Sequence, residues 1–293
     1  MIASKTARFF AKYAANDPVK FSDMLRHHMV ERLSTPPGGI AATRFHKVRY
    51  ELDMDAHRLM RKYYFRTHEM YLERIFDKHV APGTTFIDIG ANCGYWSAYA
   101  LSRVGTSGQV HAFEPVPTYF AFLRRIAELN PDFNMNANNV ACGAQPGRLP
   151  MAVVLPRPAN FDNFNTNIGS SSLAPGLLDH AKALTETISV EVIRFDDYLA
   201  NRNIDLDCVG LIKIDVEGFE SAVFDGMRQV LDKPGRKVPI LCEVLTDRTL
   251  PQPLDGVTTV ARLEGAGYRC VNAMDLKPID RTTLGFEENI LCV

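Results

Sequence analysis

The stretch TTFIDIGANCGYWSAYALSRVGTSGQVHAFEP, residues 84–115, decides the fold. A short apolar run over 86–89 leads through Asp88 and Ile89 to Gly90, the turn Ala91-Asn92-Cys93-Gly94 follows, and 95–104 reads as a helix. After Gly105-Thr106-Ser107-Gly108 a second strand, 109–113, closes on Glu114-Pro115. Strand, glycine turn, helix, strand and acid make the first crossover unit of an open parallel sheet. In such sheets ligands bind at the carboxyl ends of the strands.

The residues of that turn point to a nucleoside. Gly90 and Gly94 permit dihedrals that a side chain forbids and let the backbone approach a ligand closely. Asp88, at the end of its strand, can hold an ammonium group or a water shell. Glu114, at the end of the next, stands where a carboxylate accepts hydrogen bonds from ribose hydroxyls. A dinucleotide site would show G-x-G-x-x-G. Here the spacing is Gly90-x-x-x-Gly94, with Asn92 where a second glycine would admit a pyrophosphate. This favours S-adenosyl-L-methionine over NAD. A glycine turn with no ligand is the remaining reading, and an acid at both strand ends exceeds what packing requires.

With 293 residues the chain can hold one large α/β domain with additions. A net charge of −1 gives no global basic field for nucleic acid, and no apolar run reaches the ~20 residues of a membrane span. Cys93, Cys142, Cys208, Cys242, Cys270 and Cys292 show no C-x-x-C spacing and fall mostly in apolar stretches. They read as buried reduced thiols of a cytoplasmic protein, neither a disulfide frame nor a zinc site. Residues 1–16 carry Lys5, Arg8 and Lys12 among Phe9, Phe10 and Tyr13, as a presequence or a membrane-surface helix would. Asp17, Asp23 and Glu31 soon restore the balance, which favours a helix packed on the body of the protein.

Residues 1–33 read as one or two helices, and Ser34-Thr35-Pro36-Pro37-Gly38-Gly39 as a linker. A strand is expected over 44–52 and a long helical tract over 54–80, with an aromatic and polar patch at 63–69. After Glu114 come a helix over 117–130, a strand over 136–142, a hairpin-like pair at 149–155 and 189–193, and a short helix over 195–200. Between the paired strands an Asn- and Ser-rich excursion, 157–174, suits the rim of a pocket for a polyhydroxylated substrate. Strands at 209–215 and 238–244 flank a helix over 218–231. A helix over 255–266 and strands at 268–272 and 289–293 complete the chain, with an antiparallel strand near the C-terminus.

LIKIDVEGFE, residues 211–220, is the second informative segment. A central parallel strand should be almost wholly apolar. Lys213 and Asp215 break that rule, and at period two they share a face. Glu217 and Glu220 follow, and Glu243 ends the next strand, ILCEV. The plainer reading has Glu217 and Glu220 complementing a helix dipole and Lys213 pairing with Glu243. The sharper one brings these groups together at the mouth of the sheet.

IDIGANCGYWS, HAFEPVPTYFAFL, NNVACGA, GSSSL and above all LIKIDVEGFE, in this order, resemble the FkbM family of S-adenosylmethionine-dependent methyltransferases. ELDMD and residues 64–69 match more loosely. The resemblance implies an α/β fold: a Rossmann-like, mostly parallel seven-stranded sheet with helices on both faces. The match covers roughly 84–244. The methyltransferase domain is expected over 81–293, preceded by an N-terminal helical extension, 1–80, whose patch at 63–69 could fold over the strand ends as a substrate lid. The resemblance further implies methyl transfer to a hydroxyl of a sugar, glycolipid or natural product.

On this reading Asp88, Gly90, Asn92, Gly94 and Glu114 hold the cofactor and Asn139 lies near the adenine. Asp215 is the base, with Glu217 as the alternative. Lys213 tunes the carboxylate, and Glu243 anchors Lys213 or the substrate. No metal is expected: Asp215 and Glu243 could together hold Mg²⁺, but an ammonium on the Asp215 face would repel a dication. The acceptor is expected to be a small molecule or glycan. An NAD-dependent oxidoreductase and a non-catalytic binding protein are the rival functions.

Overall fold

The computed structural model describes residues 25, 29–30, 33–35, 37–56, 59–154, 171–174, 185–247, 254–282 and 284–293. The expected helices of 1–33 fall almost entirely outside these residues, as do 155–170 of the Asn-rich excursion.

The quoted stretch folds as read: β3 (Thr85–Ile89), α3 (Tyr95–Val104) and β4 (Gln109–Phe113). Every residue of β3 is buried, as a central strand covered on both faces demands. α4 (Pro117–Leu129) starts with proline in its first turn, where the missing N–H costs nothing, and buries Tyr119, Leu123 and Ile126 along one stripe. β5 (Asn134–Asn138), β9 (Val209–Ile214), β10 (Ile240–Leu245), β11 (Cys270–Asn272) and β12 (Glu287–Cys292) complete the main sheet.

The strand order is β11-β12-β10-β9-β3-β4-β5. β10, β9, β3, β4 and β5 run parallel, and β12 is antiparallel to both neighbours. The order reverses at β3, whose neighbours are β4 and β9, so a crevice opens beyond the carboxyl ends of these strands. A second sheet joins β6 (Ala141–Cys142), β8 (Thr185–Ile193) and β7 (Gly147–Val154), in that order. It contains the expected hairpin-like pair.

Several expectations change. The single strand over 44–52 is a hairpin, β1 (Ile40–Phe45) and β2 (Val48–Asp53), turning at His46 with φ 49°. β2 packs on α3 and α4, and Tyr50 Oη donates to Cys93 O at 2.9 Å, bracing the glycine turn from behind. The tract over 54–80 is α1 (Leu59–Phe65), a 3-10 turn (Met70–Leu72) and α2 (Glu73–His79), broken where Arg66 and Glu69 take positive φ. An extension read as helical therefore contains a two-stranded sheet. The helix over 218–231 is two pieces, α6 (Glu220–Asp225) and α7 (Arg228–Leu231). α5 (Phe195–Arg202) and α8 (Gly256–Gly265) stand where expected.

The reading of six reduced, buried thiols is also corrected. Cys270 and Cys292 are joined in a disulfide, and Cys208 is exposed. The antiparallel register of β11 and β12 sets these two cysteines opposite each other, with Cα atoms 4.1 Å apart. Nothing in their spacing along the chain reveals that pairing.

Candidate functional site

A cavity of about 280 Å³ opens at the carboxyl ends of β3, β4, β9 and β10. Gly90, Asn92 and Glu114 line one end, and Asp215, Glu217 and Glu243 line the other. Tyr63, His68 and Glu69 close it from the segment ahead of β3, while Phe286 and Glu287 arrive with β12.

The glycine turn is fixed by backbone bonds. Gly90 N and Ala91 N both donate to Phe113 O at 3.0 Å, tying the end of β3 to that of β4. Asn92 N and Val116 N each donate to one oxygen of Glu114 at 2.8 Å. Burial pushes the Glu114 carboxyl up to about 7, against the pull of those two amides toward the anion. Asn139 does not line the cavity. Its Nδ2 donates to Glu114 O and Pro115 O, so it braces the backbone that carries the acid.

Packing around the two glycines adds a steric requirement of its own. A Cβ on Gly90, at φ 83°, would lie 1.8 Å from Asp215 O, because the turns after β3 and β9 touch. A Cβ on Gly94 would meet Ile126 and Leu123 of α4 at 2.5 and 2.7 Å. Gly94 and Asp88 both lie behind the cavity wall. Asp88 is buried, accepts from Ser97 Oγ at 2.6 Å through Oδ2, and leaves Oδ1 without a partner among the described residues. Burial raises its pKa, and Lys213 opposes the rise.

At the other end Asp215 follows β9, held by its own N–H to Ile89 O at 2.9 Å. Lys213 Nζ, beneath the wall, donates to Asp215 Oδ2 at 2.7 Å. Burial works against the ammonium, yet Asp215 and Asp88 outweigh it and the lysine stays charged. Lys213 thus pairs with Asp215 rather than Glu243, whose Oε2 instead lies 3.4 Å from Asn289 Nδ2. Glu217 takes φ 51°, an uncommon conformation for a side-chain-bearing residue that turns it into the cavity wall. Glu220 is buried and accepts from Gly218 N at 2.8 Å, so it closes the turn rather than lining the cavity.

Carboxylate oxygens of Asp215, Glu217 and Glu243 lie within 4.8 Å of one another, a donor set that could surround a cation. Burial, then repulsion from Asp215, raises the pKa values of Glu217 and Glu243. His68 is the reverse case: burial, then Lys62 and Lys213, lower it to about 3, and it is neutral at ordinary pH.

His68, Glu69, Phe286, Glu287 and Asn289 were not singled out as site residues from the sequence. The aromatic and polar patch at 63–69 was the one available signal. It docks through Tyr63, stacked on Tyr95 at 4.9 Å, and through His68, edge-on to Tyr95 at 5.5 Å.

A doubly wound sheet, an acid at the end of its second strand and a cavity at its switch point define an α/β protein with its candidate ligand site at the strand ends. A family model described as the methyltransferase FkbM domain matches residues 88–270, and the chain belongs to that family. The chain is 29% identical over 230 residues to 31-O-demethyl-FK506 methyltransferase FkbM of Streptomyces tacrolimicus, covering 72% of this chain and 84% of that protein. It is 28% identical over 164 residues to Methyltransferase 1 of Beauveria bassiana, covering 54% of this chain and 65% of the other, just under two thirds of its length. Among solved structures, methyltransferase FkbM from Methylobacillus flagellatus aligns with a TM-score of 0.45 at 14% identity, over 80% of this chain and 54% of that one. Aeropyrum pernix fibrillarin in complex with natively bound S-adenosyl-L-methionine aligns with a TM-score of 0.40 at 12% identity, over 90% and 86%. No described helix is long and apolar enough to cross a membrane.

Proposed function

We propose that the protein transfers a methyl group from S-adenosylmethionine to a hydroxyl oxygen of a sugar, glycolipid or related natural product. The observation that carries this reading is a single cavity joining the Asn92–Glu114 end to the Asp215–Glu217–Glu243 end. The name of the Streptomyces relative, 31-O-demethyl-FK506 methyltransferase, supports an oxygen acceptor.

The residues fit the cofactor. Glu114 lines the cavity and keeps acceptor positions beyond the two its backbone amides fill. Gly90, Asn92 and Glu114 would bind the nucleoside, with Asp88, Gly94 and Asn139 holding their loops in place. The bound cofactor supplies an electrophilic methyl group. At the other end Asp215 receives the acceptor's proton, with Glu217 as the alternative base, while Glu243 orients the acceptor. Lys213 fixes the direction of the Asp215 carboxylate through its 2.7 Å hydrogen bond. The cavity walls align acceptor and donor, which supplies much of the rate.

The direct test is a screen of sugars and glycolipids by mass spectrometry for the gain of one CH₂ in the presence of S-adenosylmethionine. S-adenosylhomocysteine should raise Tm and NADH should not. The opposite pattern would move the protein to the oxidoreductases.

Glu114→Ala should weaken S-adenosylhomocysteine binding by about 1.5–3 kcal/mol, the range for hydrogen bonds to a charged group. Because free Glu114 titrates near 7 and ribose hydroxyls favour its anion, wild-type affinity should fall as pH drops below 7. The limit is about tenfold per pH unit. Glu114→Gln should flatten that dependence. Calorimetry giving equal affinity in wild type and Glu114→Ala would remove the ribose from this position.

We assign the region ahead of β3 as a substrate lid, since Leu59, Tyr63, His68 and Glu69 line the cavity. Deleting residues 1–33 should leave S-adenosylhomocysteine affinity intact while acceptor turnover falls. Equal loss of both would make that region part of the core.

A further inference from the structure

Glu69 reaches the cavity from the segment between α1 and the 3-10 turn, and its local backbone does not favour the position. It sits at φ 42° and ψ 40°, the left-handed region, which is unfavourable for an L-residue. Such conformations persist where surrounding contacts over-determine them. Here two hydrogen-bond donors converge on Oε1, and a ring nitrogen of His68 lies near Oε2. Asn289 Nδ2 lies 2.9 Å from Oε1, Tyr71 Oη donates to Oε1 at 3.3 Å, and His68 Nε2 lies 3.3 Å from Oε2.

Asn289 links this carboxylate to the main sheet. It stands on β12 in register with Glu243 of β10. Its Nδ2 is also 3.0 Å from Tyr71 Oη and 3.4 Å from Glu243 Oε2. Two amide hydrogens thus serve three oxygens drawn from opposite ends of the chain. The amide oxygen turned the same way would meet a carboxylate oxygen of Glu69, a repulsive contact, so the orientation of the amide is fixed. A carboxylate has about four acceptor positions. With two filled on Oε1, Glu69 keeps acceptor capacity on Oε2 for a donor within the cavity it lines.

We infer that Asn289 is a positioning residue for the acceptor end of the cavity. Its amide locks Glu69, on the segment ahead of β3, beside Glu243, and the two carboxyl groups present a fixed pair of acceptors to a hydroxyl-bearing substrate. The inference rests on the methyl-transfer reading for its purpose, and on the hydrogen bonds alone for its geometry. Tyr71 and His68 share the hold on Glu69, but Asn289 is the donor that ties it to β12.

The experiment compares hydrogen–deuterium exchange of the full chain, saturated with S-adenosylhomocysteine, in wild type, Asn289→Asp and Asn289→Ala. Asp keeps the size of Asn but replaces donors with an acceptor. In Asn289→Asp the amides of 67–72 should exchange at least about tenfold faster. Those of 85–104, and the affinity for S-adenosylhomocysteine, should change by less than about twofold. Asn289→Ala, which removes the donors without adding a charge, should fall between the two.

On the acceptor that the mass screen identifies, Asn289→Asp should lower kcat/KM by roughly 10–100-fold and leave the KM for S-adenosylmethionine unchanged. Unchanged exchange of 67–72 in Asn289→Asp overturns the inference. So does loosening in Ala but not Asp, which would make bulk rather than hydrogen bonding the holding force. Equal loosening of 85–104 also overturns it, as does wild-type kcat/KM in Asn289→Asp. If S-adenosylhomocysteine fails to bind wild type, the cofactor reading fails instead. The exchange comparison on the free protein still decides the role of Asn289.

Discussion

Asp215→Asn should reduce turnover by roughly 10²–10⁴, the usual range for losing a general base, while binding S-adenosylhomocysteine as wild type does. The substitution keeps the shape and the backbone bond to Ile89 that sets the end of β9. It removes the charge facing Lys213, an ammonium with 5% of its side chain exposed, so some loss of Tm should accompany the loss of rate. Rate and stability therefore need separate measurement. A Tm lowered by a few degrees with full turnover would take the base away from Asp215 and give it to Glu217.

The same residue decides the question of a metal. Asp215, Glu217 and Glu243 have the oxygen ligands that Mg²⁺ prefers. Lys213 Nζ is 2.7 Å from Asp215 Oδ2, and a dication would have to share that carboxylate with an ammonium. Turnover should survive EDTA. Activity abolished by EDTA and restored by Mg²⁺ would recast the three acids as ligands.

Gly90→Ala carries the other large effect. The added methyl would lie 1.8 Å from Asp215 O and 2.8 Å from Asp215 C, at a backbone angle of φ 83° that alanine rarely adopts. Overpacking and left-handed strain each cost about 1–3 kcal/mol. Together they should remove a large part of the stability of a domain whose total is about 5–15 kcal/mol. The midpoint of chemical denaturation should fall accordingly. Because the obstacle is the chain beyond β9, S-adenosylhomocysteine binding and turnover should be damaged together in whatever protein remains folded. A variant with wild-type denaturation would show that these two turns do not meet in solution.

The parts of the fold that were legible in the sequence are those governed by local periodicity and glycine punctuation. β3, α3 and β4 end within a residue or two of where 84–115 places them. The antiparallel strand near the C-terminus is β12. Tertiary contacts decided the rest. His46, Arg66 and Glu69 occupy positive φ with no glycine, asparagine or proline to announce a turn. The strand and the helix read across them therefore ran on. The pairing of Cys270 with Cys292 follows from strand register, which alternation alone does not specify.

At the cavity, Asp215, Glu217 and Glu243 were visible because charge at the end of an apolar strand is anomalous. Glu69 and Asn289 were not visible. One follows an irregular break, and the other sits at the start of a strand whose polarity had to be known first.

That polarity has a consequence for how the family can diversify. Parallel strands bring only their final residues to the cavity, and lengthening the loops that follow them disturbs the glycine turn or the acids. β12 runs the other way, so the chain leading into it arrives at the cavity through Phe286. Side chains can be exchanged there without moving Asp215. Acceptor preference should therefore evolve fastest in 273–286, and a library confined to that loop is the economical route to a new substrate.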